Sequence, residues 1–131
     1  MVEELSKEKH MEALTKKVAE CTRCPLSKTR KRAVVGEGEL NTFIMLVGEA
    51  PGYYEDLQGR PFVGAAGKVL DRLLEEIGVY RSSVYITNIV KSRPPNNRAP
   101  RREEIEACSG YLDEQLVIIR PKVIVPLGRF S

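Results

Sequence analysis

Three stretches of the chain place apolar residues at helical spacing, which predicts three amphipathic helices. The first covers residues 6–20 and ends just before Cys21; the second covers residues 65–77 and stops at Gly78. The third covers residues 102–119, and its apolar side is expected to face inward. The residues that carry the spacing are Met11, Leu14 and Val18, then Val69, Leu70, Leu73, Leu74 and Ile77, and finally Ile105, Cys108, Leu112, Leu116 and Ile119.

Three apolar runs of strand length alternate with these helices. They are "FIMLVGEA", whose strand ends at Gly48, "SVYITNIV" at 83–90 and "KVIVPLG" at 122–128. Strands that are apolar throughout and separated by helices are typical of a parallel sheet covered on both faces. The sequence therefore predicts an α/β fold in which residues 1–131 form a single domain.

The end of the chain departs from this pattern. The last predicted strand runs into "GRFS", where Ser131 is a good helix N-cap with no helix after it. Three strands without a last helix would leave one face of the sheet partly bare. We therefore expect that the domain lacks its C-terminal part.

Composition and charge narrow the class of protein. The 131 residues are 42% hydrophobic and 30% charged, as in a globular domain, and no apolar run reaches the roughly 18 residues of a membrane span. The highly charged start differs from a secretory signal, which predicts a cytoplasmic protein without a membrane partner. Net charge is only +3, but residues 23–32 and 91–102 each hold five cations and no acid. Such runs are either solvated surface or a binding site for a polyanion such as nucleic acid.

The loops after the first two strands contain the candidate binding residues. In parallel sheets, ligands bind beyond the carboxyl ends of the strands. There the segment 48–64 is rich in glycine and contains Phe62, which is either a core residue or a stacking surface for a planar base. Asn88, at the end of the second strand, can read an amide edge or merely cap a turn. A Walker loop is excluded, since Val69 stands where that motif needs a hydroxyl.

Three cysteines suggest a metal or redox role rather than a disulfide framework. Cys21 and Cys24 form a CxxC motif after the first helix, and Cys108 lies on a distant helix. Zinc and iron-sulfur sites both require four ligands, so one ligand is missing from this set. The alternative is that Cys108 is a small core residue.

Four segments together resemble the family 4 uracil-DNA glycosylases, the thermostable iron-sulfur type found in archaea and bacteria. These segments are "CTRCPL", "VGEAPGYYED", "GRPFVGAAGK" and "VYITNIVKSRPPNNRAP", and the resemblance runs from Cys21 to Gly128. It implies a three-layer α/β/α fold with a central parallel sheet and a [4Fe-4S] cluster bound by four cysteines. It also implies a monomeric repair enzyme, a hydrolase that removes uracil from DNA.

The chain departs from the family at two places. The family usually reads K-C-R-P-P after the second strand, and that cysteine binds the cluster, whereas this chain has Ser92. Cys21, Cys24 and Cys108 thus match three ligands and Ser92 stands at the fourth, which leaves cluster occupancy open. The family's later His-Pro motif would lie beyond Ser131.

The resemblance also implies which residues bind uracil. Gly48, Glu49, Ala50, Phe62 and Asn88 match the family's base-binding segments. The nucleotide would be extruded from the duplex so that Phe62 stacks on its ring. Asn88 would pair with O4 and N3–H of uracil and reject cytosine, whose donor and acceptor are reversed there.

The catalytic and DNA-binding residues follow from the same resemblance. Glu49 and Glu55 are the catalytic candidates, which orient water or offset positive charge on the sugar, although either carboxylate can instead bind loop N–H groups. Backbone N–H groups of the loop after the first strand would hold the negative charge that develops on uracil O2. Lys91, Arg93 and Arg98 are expected to contact DNA phosphates.

Two other functions compete with this interpretation. One is a noncatalytic DNA-binding or base-sensing relic of the same fold, inactive because the histidine motif is absent. The other is a redox or metal-carrying protein that uses the CxxC motif, but this explains neither the Phe62 loop nor the "RPPNNR" run.

Overall fold

The computed structural model describes residues 2–128, with side chains from residue 6 onward. All three predicted helices and all three predicted strands form. None of the helices in this range has the length and apolarity that crossing a membrane requires. In chain order the elements are α1 (Val2–Ala19), α2 (Leu26–Thr29), β1 (Glu37–Gly38), β2 (Ile44–Gly48), α3 (Tyr53–Gln58), α4 (Ala65–Glu76), β3 (Tyr85–Asn88), α5 (Arg102–Ile119) and β4 (Val123–Pro126).

The sheet has the strand order β1-β3-β2-β4. Strand β2 pairs in parallel with β3 on one side and with β4 on the other, as the alternating pattern predicts. Strand β1 pairs antiparallel with β3 at the edge, through Glu37 and Gly38. A strand of two residues is too short to show a periodic pattern, so the sequence did not indicate it.

Helices cover the two faces of the sheet. On one face α1 and α5 pack against β2 and β3, in a core that includes Val18, Met45 and Ile119. On the other face α4 packs through Leu70 and Leu74. The domain is therefore a three-layer α/β/α sandwich, which confirms the predicted fold class.

One part of the apolar pattern is not buried. Of the apolar side chains that predicted the second helix, only Leu70 and Leu74 are buried, whereas Val69, Leu73 and Ile77 are each more than half exposed. Strand β4 is also exposed, with Val123 and Ile124 at 40% and 50% exposure. Within the described residues, β4 therefore leaves part of the sheet uncovered, which agrees with the expectation that one face is partly bare.

Candidate active site at the carboxyl edge of the sheet

Strands β2 and β3 end side by side, since Gly48 is the register partner of Asn88. A cavity of about 550 Å³ opens beyond these strand ends, within the usual size range of ligand sites. Four of the five residues expected to bind the base line it: Glu49, Ala50, Phe62 and Asn88. Gly48 is buried directly behind two of them, where an added Cβ would meet Asn88 Oδ1 and the Phe62 ring.

The side chain of Asn88 is a buried amide that faces the cavity. The residue is only 2% exposed. Its main-chain oxygen accepts a hydrogen bond from Lys91 Nζ, but its side-chain amide has no hydrogen-bond partner among the side chains and backbone that the structure describes. Buried polar groups are normally paired, so this amide is available to pair with a ligand.

Phe62 lies in the loop between α3 and α4 and is held there from two directions. Arg81 Nη1 donates a hydrogen bond of 2.9 Å to Phe62 O, and Arg81 Nη2 donates one to Pro61 O. Gly67 packs so closely against the Phe62 backbone that no side chain fits at position 67. The half-buried ring contacts the core beneath α4 and lines the cavity, so it is both a core contact and a cavity wall.

The two candidate carboxylates differ in what they bind. Glu55 Oε1 accepts a hydrogen bond from Gly52 N, and Oε2 accepts from Val63 N and Gly64 N at 2.9 and 2.7 Å. It therefore ties the loop after β2 to the Phe62 loop, which is the structural role that the sequence left open. Glu49 lines the cavity, and its carboxylate makes no hydrogen bond to any residue in the described part of the chain. Of the two, only Glu49 has a carboxylate free for chemistry.

The prediction that Lys91 contacts DNA phosphates is wrong. Its side chain is 1% exposed, and Nζ donates to Thr87 Oγ1 at 2.7 Å, to Gln115 Oε1 at 2.6 Å and to Asn88 O. Burial lowers the pKa of Lys91 to about 7, although Cys108 acts in the opposite direction. This ammonium group supports the end of β3 from inside the domain and does not reach the surface.

The two predicted phosphate-binding arginines remain near the cavity mouth. Arg98 lines the cavity and makes a two-pronged ion pair with Glu104, with both N–O distances at 2.8 Å. This pairing holds the pKa of Glu104 down at about 2. Arg93 Nε donates to Asn97 Oδ1 at 2.7 Å, and its guanidinium lies 5.4 Å from the centre of the Tyr53 ring.

The candidate metal ligands line a second, small cavity. Cys21, Cys24, Cys108 and Ser92 surround a space of about 10 Å³ between the start of the chain and α5, roughly the room for one water molecule. Burial raises the pKa of the Cys108 thiol, against a hydrogen bond from the Lys91 backbone that lowers it. Among the described residues, no three His, Cys, Asp or Glu side chains converge closely enough to hold one metal ion.

Ser92 is already engaged. Arg30 Nη1 donates to Ser92 Oγ at 2.8 Å, and Arg30 Nη2 donates to Ala19 O and Cys21 O. The position where the family has a fourth thiolate thus holds a hydroxyl that binds a cation. Because an iron-sulfur cluster is held by four anionic thiolates, the residues present do not fit a four-thiolate cluster.

Several residues at the site were not found from the sequence. Arg81 anchors the Phe62 loop from 19 positions away, and Gln115 receives the Lys91 ammonium inside the core. Neither shows a signal in the sequence, because both act through long-range contacts. Tyr53 and Tyr54, beside the cavity, did show a signal in the sequence, because they are adjacent aromatic residues in a loop-rich segment.

Comparisons with known proteins identify the family. A family model described as the uracil DNA glycosylase superfamily matches residues 35–131. Type-4 uracil-DNA glycosylases of Pyrobaculum aerophilum, Sulfurisphaera tokodaii and Thermotoga maritima are 54%, 56% and 54% identical over 92%, 92% and 94% of the chain. The alignments cover 62%, 56% and 64% of those relatives, so the chain spans about three fifths of their length. The resemblance inferred from the motifs is confirmed.

Proposed function

This chain belongs to the uracil DNA glycosylase superfamily, and from that premise we propose that it extrudes uracil from DNA and hydrolyses its N-glycosidic bond. The observation that carries the proposal is the amide of Asn88, a residue that is only 2% exposed: it has no partner in the described part of the chain and faces a base-sized space beside the Phe62 ring. An amide presents a donor and an acceptor together. Uracil offers the complementary pair, O4 and N3–H, on one edge.

Specificity follows from the burial of this amide. Cytosine carries a donor at position 4 and an acceptor at N3, so the same amide orientation would face donor against donor and acceptor against acceptor. Leaving buried polar groups unpaired is costly, and sites built on such pairing can discriminate strongly. Phe62 supplies the stacking surface, which accepts any planar base and so adds affinity rather than specificity.

Hydrolysis requires stabilisation of opposite charges on sugar and base. Glu49 has a carboxylate in the cavity with no described partner, so it can orient the attacking water or offset positive charge on the sugar. The negative charge on uracil O2 needs hydrogen-bond donors. In the loop after β2, Gly52 N–H is already bound by Glu55 and Pro51 has no N–H, which leaves the N–H groups of Glu49 and Ala50 as the loop's candidate donors.

The experiment is uracil excision from a labelled oligonucleotide, followed by alkali to break the strand at the abasic site. We expect N88A to lose at least about tenfold in excision rate, since two recognition hydrogen bonds of about 1 kcal/mol each are lost. The matched control is N41A, an exposed asparagine before β2 whose side chain only accepts a hydrogen bond from Lys7. Equal excision by N88A and wild type would contradict the proposal.

A noncatalytic DNA-binding or base-sensing relic of the same fold is the second candidate. Binding of DNA by the wild-type chain without strand breakage at uracil would support this candidate instead. The expected monomeric state, cytoplasmic location and absence of a C-terminal part stay predictions.

The [4Fe-4S] cluster also stays a prediction, and no step above depends on it. Three cysteines that line one cavity favour it. Two findings within the described residues oppose it: these thiols do not converge on one point, and Arg30 binds Ser92 at the fourth corner. Iron and acid-labile sulfide are to be measured in anaerobically purified wild type and in S92C. We expect S92C, which restores a fourth thiol, to bind more iron and sulfide; full occupancy in the wild type would show that Ser92 suffices.

A further inference from the structure

Two tyrosines are exposed side by side at the mouth of the cavity. Tyr53 and Tyr54 begin α3 and are 46% and 56% exposed. Their rings meet edge to face, with centroids 5.2 Å apart and planes at 88°. The residues on either side in the sequence, Gly52 and Glu55, both line the cavity. Aromatic surface of this size is normally buried, so its exposure next to a binding site indicates a contact with a ligand.

A cation completes this surface. The guanidinium of Arg93 lies 5.4 Å from the centre of the Tyr53 ring, which is the geometry of a cation–π contact. Arg93 makes no ion pair with any carboxylate in the described part of the chain, unlike Arg98, which is paired with Glu104. Of the three predicted phosphate-binding cations, Lys91 is deeply buried and Arg98 is neutralised by its ion pair. Arg93 is therefore the one that is left to contact a phosphate.

We propose that Tyr53, Tyr54 and Arg93, here called the tyrosine platform, bind the unpaired DNA strand beside the extruded nucleotide. A base stacks on the Tyr54 ring, and the Arg93 guanidinium contacts the neighbouring phosphate. The inference rests on the proposed function, because extrusion of a nucleotide unstacks its neighbours and leaves a flexible strand at the cavity mouth. Stacking on aromatic rings holds such a strand without regard to its sequence.

Charge favours a nucleic acid over a protein as the occupant. The platform lies next to residues 92–101, a stretch without acidic residues in which neither Arg93 nor Arg101 makes an ion pair within the described part of the chain. Clusters of positive charge with interleaved aromatic residues are the usual surface for single-stranded nucleic acid. A protein partner would also contact tyrosine and arginine side chains. Positive charge alone, however, attracts an oligonucleotide and not a protein in general.

The test measures binding of a fluorescent single-stranded oligonucleotide that contains no uracil, by anisotropy at several salt concentrations. We expect Y54A to weaken binding about tenfold, because stacking on one aromatic ring is lost, and Y54F to bind as wild type does. The matched control is Y80A, since Tyr80 is 79% exposed but precedes β3 at the opposite edge of the sheet. We expect R93Q to lower the slope of log affinity against log salt by about 0.7, as for one lost phosphate contact on a single strand.

The outcomes separate this inference from the proposed function. If Y54A and Y80A bind alike and R93Q keeps the wild-type slope, the platform does not bind DNA, even if uracil excision is observed. If Y54A weakens binding of uracil-free DNA while N88A does not, the platform is supported whether or not the chain excises uracil. Circular dichroism melting tests whether each variant is folded. If Y54A is unfolded, the binding of R93Q and Y54F decides whether the platform binds DNA.

Discussion

Replacing Gly48 by alanine tests whether base recognition depends on the bare backbone behind the cavity. A Cβ at this position would lie 2.5 Å from Phe62 Cζ and 2.7 Å from Phe62 Cε2, and it would also collide with Asn88 Oδ1. Carbon atoms in contact prefer about 3.5–4.0 Å. The ring must therefore move by about 1 Å, while Arg81 holds the Phe62 backbone in place.

The size of the effect follows from this displacement. Forcing an extra methyl group into a packed site costs about 1–3 kcal/mol of unfolding free energy. A misplacement of about 1 Å in a positioning group can reduce a rate about 100-fold. We therefore expect G48A to be less stable by about 1–3 kcal/mol and to excise uracil about 100-fold more slowly than wild type.

Urea denaturation followed by circular dichroism measures the stability, and single-turnover strand breakage measures excision. The matched control is G110A in α5, where the nearest atom to an added Cβ is Arg23 Nη1 at 3.9 Å. There the same substitution should stabilise the helix by about 0.5–1 kcal/mol. In an F62A background, G48A should cost less than alone, because part of the collision is gone.

Either of two results would refute this reasoning. The first is that G48A matches G110A in both stability and excision. The second is that the stability cost of G48A is the same with and without the Phe62 ring, which would show that the collision is not its cause.

Three further predictions concern charged residues. E55Q should lose about 1–3 kcal/mol of unfolding free energy, because the hydrogen bonds from the loop N–H groups weaken. E49Q should slow excision, while its unfolding free energy stays within about 0.5 kcal/mol of the wild-type value. Equal stabilities of E55Q and E49Q in urea denaturation would contradict this. The pKa of Glu104 is lowered from 4.5 to about 2, so its pair with Arg98 stabilises the fold above pH 4.5 and is lost as the pH falls toward 2. Stability of wild type should therefore fall more steeply than that of E104Q over this range, and parallel curves would disprove the linkage. K91M should cost about 1–3 kcal/mol and leave the salt dependence of DNA binding unchanged; a slope lower by about one would restore the phosphate role.

The sequence predicted which residues line the cavity better than it predicted the role of each residue. Asn88 and Phe62 were identified because one ends an apolar strand and the other lies alone in a glycine-rich loop, and both line the cavity. Lys91 was misassigned because it lies in a run of cations that looks solvent-exposed. The position of Lys91 within the run of cations does not show that β3 ends at Asn88 or that Val90 and Lys91 beyond it are still buried.

Hydrophobic periodicity alone determined the order of the three long helices and the three parallel strands, and the parallel order determined that the ends of β2 and β3 meet at one edge of the sheet. These features are local or follow from topology, so they can be read from the chain. Only the tertiary structure decided that Glu55 is bound by loop N–H groups, that Ser92 is bound by Arg30, and that the Asn88 amide has no partner between residues 6 and 128. Each of these depends on where distant parts of the chain meet, and one hydrogen bond gained or lost there decides whether a polar side chain supports the fold or is available to a ligand.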